Sequence, residues 1–199
     1  MSFPPLPVGL LIRPLALADL PGLLDVQRSC YGGGYVESAE VFAQRIACPT
    51  QCSLVLEVQG RVMAYLAAYD SMMGKVTQLH GEFEPAPHPD TLYLHALAGL
   101  PELGGQGVAA CLLHTLWQGA QSRGLQRAAL VSVQGSQGFW QHHGYAAYTL
   151  QDAAQRERLS AYGRDAVYMM RRVDGWDLEF TPRAPAPRPG LRPAWPHAR

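Results

Sequence analysis

Lysine is almost missing from this 199-residue chain: Lys75 stands beside fifteen arginines. No lysine follows the glycine cluster at 104–107, so the GxxxxGK[ST] phosphate loop is excluded, and Val108-Ala109-Ala110 after Gly107 excludes the dinucleotide GxGxxG pattern. No apolar run reaches the roughly 18 residues that a membrane-spanning helix needs. The first residues, MSFPPLPVGLLIRP, have no basic region before their short apolar part, so no signal peptide is expected. Cysteine is scarce and scattered, at positions 30, 48, 52 and 111. No second pair or histidine cluster completes a zinc site around Cys48 and Cys52, so free thiols in a reducing cytoplasm, and no metal, are expected. Net charge is also lacking, with 16 bases against 16 acids. Four of those bases, Arg183, Arg188, Arg192 and Arg199, lie in an acid-free end. Without them 12 bases face 16 acids, so residues 1–180 carry about −4. An acidic body argues against nucleic acid as a partner and is compatible with a cationic amine.

What the chain does have is a 48% apolar composition, enough for one domain with a full core, and one informative stretch. Leu92 to Ala98 is an apolar run. A turn follows through Pro101 and Gly104-Gly105-Gln106-Gly107. Val108, Leu112, Leu116 and Ala120, joined by Ala109 and Leu113, then mark one helical face. The reading is strand, glycine turn, helix. The first N–H groups of such a helix have no intrahelical acceptor and sit at the positive end of its dipole. Glycines there let an anion approach the backbone, so the stretch reads as a cradle for a phosphorylated ligand. The plainer alternative is that the glycines only make a tight turn.

Around this centre the elements fall in order. Residues 10–13 read as a strand. Asp19 caps a helix carrying Leu20, Leu23, Leu24 and Gln27 on one face, and Tyr31 to Tyr35 interrupts it with glycines. Ser38 caps a second helix with Val41, Phe42 and Ile46 apolar, and Pro49 ends it. Residues 54–58 and 62–69 form a hairpin about Gln59-Gly60. A proline-rich loop, 81–90, precedes the central strand. Gly124 closes the central helix, and residues 127–133 form a buried strand. A short helix spans 139–143. Residues 145–150 and 166–172 read as closing strands joined by a polar loop. Six prolines in the last nineteen residues predict an extended or disordered tail, giving a domain over 1–173 and a tail over 174–199.

The order and the motifs together resemble the GNAT superfamily of acyl-CoA-dependent N-acyltransferases, over residues 10 to about 172. The family turn has the form [Q/R]-x-x-G-x-[G/A]; here it is Gly104-Gly105-Gln106-Gly107-Val108-Ala109, with Gly104 in place of the usual Gln or Arg. A second feature, an aromatic residue, three residues and Gly-aromatic, is Trp140-Gln141-His142-His143-Gly144-Tyr145. Cys48-Pro49, the hairpin, and Tyr93-Leu94-His95-Ala96-Leu97-Ala98 are most similar to the arylalkylamine N-acetyltransferase branch, whose strand carries H-L-H where this chain has Tyr93-Leu94-His95.

The resemblance implies a mixed α/β fold, with a mostly antiparallel sheet of six to seven strands flanked by helices. It implies acetyl transfer from acetyl-CoA to a primary amine by direct attack, with no metal. The CoA pyrophosphate is expected on the backbone of Gly104, Gly105, Gln106, Gly107, Val108, Ala109 and Ala110, and the thioester at Leu97, Ala98 and Gly99. His95 is the expected base, its unperturbed pKa of about 6.5 lying near working pH. Strict alternation would put Tyr93, His95 and Leu97 on one face, with Tyr93 holding a relay water. Trp140 stands at the position of the family's acid, and indole is no proton acid, so it is expected beside the pantetheine arm. Tyr148 is an undefended substitute. Tyr31, Tyr35, Phe42 and Phe83 are expected to line the pocket of an aromatic or aliphatic small-molecule amine, and Glu57 to anchor the amine or act as an alternative base. Family members often pair through sheet edges, leaving a homodimer open. Two other readings compete. One is a non-catalytic acyl-CoA-binding or regulatory domain, motivated by Gly104 and Trp140. The other is an interaction module recruiting an SH3-like or acidic partner through the Arg/Pro tail.

Overall fold

The computed structural model describes residues 9–31 and 33–173. The expected tail, with Trp195, lies outside them. The order is β1 (Leu10–Pro14), α1 (Leu20–Cys30), α2 (Ala39–Ala47), β2 (Leu54–Val58), β3 (Arg61–Ser71), β4 (Thr91–Gly99), α3 (Val108–Ser122), β5 (Arg127–Ser132), α4 (Gln137–His142), β6 (Ala146–Ala147), α5 (Ala153–Ser160) and β7 (Val167–Arg172). Seven strands form one mixed sheet in the order β1-β2-β3-β4-β5-β7-β6, in which only β4 and β5 run parallel. The expected mixed, mostly antiparallel architecture is the one observed.

The hairpin forms where Gln59 and Gly60 both take positive φ, 51° and 81°, the geometry that matches the right-handed twist of the flanking strands. Alternation along β3 then divides the core. Ala64, Leu66 and Ala68 face a cluster built on Leu112, Leu113, Leu116 and Trp117 of α3. Tyr65, Ala67 and Tyr69 face a second cluster with Leu23 and Val26 of α1 and Phe42 of α2. Each fully buried Leu contributes about 1.5–3 kcal/mol by leaving water. Ser38 caps α2 by accepting from the Val41 N–H at 3.4 Å. At the end of α3, Gly124 has φ 79°, and the Leu125 N–H returns to the Ala120 carbonyl at 3.0 Å, closing the helix as expected.

Three local expectations are corrected. Asp19 directs its carboxylate at the Arg13 guanidinium, 2.7 Å away, and the Ala16 N–H, at 2.8 Å, rather than at the first turn of α1. The strand expected over 145–150 is only Ala146–Ala147. The polar loop after it contains α5, which buries no residue and so has no apolar period to read. The Asp152 carboxylate caps α5 by accepting from the Ala154 and Gln155 N–H groups. Polar tertiary bonds dock it: Gln155 accepts from Val76 N–H at 2.7 Å, and Arg158 reaches Glu84 at 2.9 Å.

Among the described residues no helix is long and apolar enough to cross a membrane, and no group of three His, Cys, Asp or Glu is placed to hold a metal ion.

Candidate functional site

β4 and β5 pair only from Thr91 to Leu94 and from Arg127 to Leu130. Beyond Leu94 they part, and a cleft opens that is lined by Leu94, His95, Ala96 and Leu97 of β4, by Leu130, Val131, Val133 and Trp140 of β5 and the segment after it, and by Gln27, Tyr31, Tyr35, Glu37, Leu79 and Tyr162. The carbonyls of Leu97 and Gly99 point out of the β3–β4 ladder, accepting from the Tyr31 hydroxyl at 3.4 Å and the Cys30 thiol at 3.2 Å. The N–H and C=O of a strand residue point the same way, so the Leu97 and Gly99 N–H groups also face the opened side.

The same strand carries a bulge. Ala67 pairs with Ala96, but Ala68 pairs with Leu94, leaving His95 as the extra residue. Strict alternation therefore fails. Tyr93 belongs to the α1–α2 side of the sheet, whereas Leu97 turns to the α3 side. Tyr93 is corrected too: it is buried behind the cleft in a tyrosine cluster, where its hydroxyl interacts with Tyr162 and the Thr77 backbone, and burial pushes its phenol pKa up.

The bulge sets the His95 side chain, 3% exposed, against Glu37. Nε2 lies 3.2 and 3.1 Å from the two carboxylate oxygens. Glu37 also receives both terminal nitrogens of Arg45, one at 2.6 Å, and the His80 N–H at 3.1 Å. Its backbone is fastened by Gln27, which accepts from Glu37 N–H at 3.0 Å and donates to Glu37 C=O at 2.9 Å. Arg45 ties the network to the loop before β4 through the Gly81 carbonyl, 2.6 Å away. Burial opposes ionisation of Glu37, but His95 and Arg45 outweigh it and hold the carboxyl well below the usual range. Burial first, then the Arg45 charge, lower the His95 pKa against the opposing pull of Glu37. His95 is thus a neutral imidazole near neutral pH, able to accept a proton.

Neither Glu37 nor Arg45 stood out in the sequence. The available signal was Arg45 on the same face of α2 as Phe42, since a charge on an apolar helix face requires a partner.

The expected substrate residues divide. Tyr31 and Tyr35 line the cleft, Tyr35 donating to the Tyr162 carbonyl at 2.8 Å. Phe42 and Phe83 are core residues beneath it. Phe42 meets Tyr65 edge-on, while Phe83 stacks on Tyr69 at 4.4 Å and lies 6.0 Å from the His95 ring. Glu57 is not brought to the cleft; it pairs with Arg13 at 2.8 Å across β1 and β2. Tyr148 lies beside Met72 and Met73 in a separate surface depression. Trp140 is 4% exposed, lines the cleft and meets Tyr145 edge-on at 5.5 Å.

The glycine turn leads into α3 beyond a single 3₁₀ turn, Pro101–Leu103. Gly105 and Gly107 take φ of 74° and 75°, and no atom lies within 4 Å of where a Cβ would stand on either. Gly107 caps α3 without a side chain, so the first N–H groups of the helix have no protein acceptor supplied by the cap. An open turn, an uncapped helix start and a parted strand pair fit an extended ligand with an anionic middle and an acyl end. The backbone of 104–110 would hold the pyrophosphate, and the backbone of 97–99 the thioester.

Comparison with known proteins finds the same fold elsewhere. The structure is similar to ribosomal-protein-S18-alanine N-acetyltransferase from Escherichia coli, with a TM-score of 0.61 at 16% identity over 86% of this chain and 99% of that one. It is similar to the PaiA N-acetyltransferase from Thermoplasma acidophilum in complex with coenzyme A, with a TM-score of 0.59 at 14% identity over 82% of this chain and 98% of that one. The GphF GNAT-like decarboxylase in complex with isobutyryl-CoA gives a TM-score of 0.65 at 16% identity over 81% of this chain and 98% of that one. At these identities the likeness is one of fold. No curated protein matches the sequence. Residues 20–145, more than half of the chain, match the acetyltransferase (GNAT) family, and the protein belongs to that family.

Proposed function

We propose that this protein is an acetyl-CoA-dependent N-acetyltransferase that acetylates a small primary amine by direct attack in a ternary complex. The observation that carries the reading is the parting of β4 from β5 at Leu94, with His95 bulged at that point and the uncapped start of α3 beyond it. Bound acetyl-CoA supplies the activated acyl group. The chain's own part is to hold the cofactor by backbone, direct the Leu97 and Gly99 N–H groups at the side where oxyanion charge develops, and take the amine's proton at His95. Trp140 walls the acyl channel and donates no proton, so the sulfur leaves as thiolate or is protonated by water.

The tyrosines that line the cleft, Tyr31 and Tyr35, support an aromatic or aliphatic amine. The likeness to the arylalkylamine branch rests on the sequence around Cys48-Pro49 and Tyr93 to Ala98 alone. A protein N-terminus is the competing acceptor, because the E. coli neighbour is an alanine N-acetyltransferase of a ribosomal protein. The four free cysteines support a cytoplasmic setting.

Calorimetric titration with acetyl-CoA beside free CoA, followed by a panel of amines and peptide N-termini, tests the proposal. Micromolar acetyl-CoA binding with multiple turnover on a small amine is expected. Absence of binding at millimolar ligand overturns it. Acetylation of peptide N-termini alone refutes the small-amine preference. Gly104 and Trp140 favour one second reading, a non-catalytic acyl-CoA-binding domain; binding without turnover on any acceptor would establish that instead.

A further inference from the structure

We propose that Glu37 is a positioning residue that holds His95 as the Nε2–H tautomer, so that Nδ1 is the atom that receives the acceptor amine's proton. This rests on the N-acetyltransferase reading above and assigns it an atom. An ionised carboxylate can only accept hydrogen bonds. Both Glu37 oxygens lie within 3.2 Å of Nε2, so Nε2 carries a hydrogen. In a neutral imidazole the other nitrogen then holds a lone pair. That nitrogen, Nδ1, is buried with no hydrogen-bond partner among the described residues, on a side chain that forms part of the cleft wall. Buried polar atoms are ordinarily partnered, and an orphaned acceptor at a substrate cleft points to a donor supplied by the ligand.

The surroundings keep this arrangement fixed. Charged and titratable groups face the imidazole from three sides: Glu37 from the segment between the first two helices, Arg45 from α2, and His80 from the loop before β4. Tyr31, Tyr35 and Tyr162 complete the cleft lining. The Arg45 fork and the His80 N–H fix both carboxylate oxygens, so Glu37 cannot turn away from Nε2 without breaking them.

In the step itself the substrate ammonium gives one proton to Nδ1, and its freed electron pair forms the C–N bond. The C–S bond breaks and its electron pair leaves on sulfur. The nitrogen's second proton passes to the thiolate, directly or through water, and Nδ1 later returns its proton to solvent. The products are amide, CoA thiol and one proton. The imidazolium formed in between carries N–H on both nitrogens and remains beside the Glu37 carboxylate.

Imidazole ¹⁵N–¹H correlation spectra of histidine-labelled protein, recorded without substrate at neutral pH, test the assignment directly. His95 is identified by the signal lost in His95→Gln. The wild type is expected to show His95 as the neutral Nε2–H form; an Nδ1–H form or an imidazolium would overturn the proposal. In Glu37→Gln, Arg45 and the His80 N–H claim the amide oxygen and turn the NH2 toward Nε2. The tautomer then switches to Nδ1–H and kcat falls by about a hundredfold. The rising limb of the pH–rate profile moves to lower pH, and acetyl-CoA binding is unchanged. Glu37→Asp restores the Nε2–H form and part of the rate. A Glu37→Gln protein with the wild-type tautomer, pH profile and kcat overturns the proposal. Should that variant fail to fold, the wild-type spectrum still decides. Turnover by a wild type holding the Nδ1–H form rejects this assignment and leaves N-acetyl transfer standing. No turnover by a wild type in the Nε2–H form rejects both the transfer and the role given to Nδ1.

Discussion

The two halves of the candidate site are built from different material. The half at 104–110 is exposed backbone: glycines with open space above them and a helix start with no side-chain cap. The half around His95 is a closed set of buried side chains, Glu37, Arg45 and Gln27, each engaged with another. The difference teaches where sequence change is tolerated. A site made of N–H groups keeps its donors whatever residue supplies them. A site made of side chains fails with a single exchange, because a buried charge that loses its partner costs about 3–5 kcal/mol.

The largest expected effect separates the halves by function. His95→Ala lowers turnover at least tenfold, and by about a hundredfold if general-base catalysis is removed in full, while the calorimetric affinity for acetyl-CoA is retained. Unchanged turnover would remove His95 from the mechanism and collapse the distinction. The converse variant is Gly107→Val. A β-branched residue at φ 75° is strained, and its side chain enters space that is open. Acetyl-CoA affinity is expected to fall about tenfold with kcat at saturation nearly unchanged; a fall in kcat alone would mean that the turn does not carry the cofactor.

The smallest effect concerns acid. The side-chain half contains titrating groups and the backbone half none. His95 is neutral in the fold, as is His143, which burial pushes down to about 4 and whose carbonyl accepts from Arg171. For a group with a lowered folded pKa, the unfolded chain binds more protons between the two values. Stability is therefore lost as pH falls below about 6.5; for His143 the loss continues toward 4 at up to about 1.4 kcal/mol per unit, and His95 adds a loss of the same sign. Urea unfolding midpoints measured from pH 7 to 4.5 should show this slope. His143→Phe should reduce it, and Gly107→Val should leave it unchanged. A pH-independent midpoint over that range would show that neither histidine is held neutral.

His143 also limits what a lowered pKa says. Like His95, it is buried with an unpartnered Nδ1. It is packed against Trp117 and Phe139 with no carboxylate on its other nitrogen among the described residues, and it does not line the cleft. Placement beside Glu37 on an opened strand pair distinguishes the candidate base, and no property of histidine alone does.

Much of the fold was legible because it rests on short-range rules. The Gln59-Gly60 hairpin follows from residues that accept positive φ, α3 from a four-residue apolar period, its end from Gly124, and the cradle from glycines before a helix. These signals are local, so sequence alone determined the order of the strands and of the first four helices, and the glycine turn before α3. It could not reveal α5, whose face buries nothing and which is held by Asp152 and by bonds to a distant loop. Nor could it count residues across a strand pair: the bulge at His95, one residue in β4 without a mate in β3, puts Tyr93 and Leu97 on opposite faces. The meeting of Glu37 with His95, 58 positions apart, was decided by tertiary structure alone. Ionic and hydrogen-bond partnership between buried groups depends on distance in space, and no periodicity along the chain encodes it.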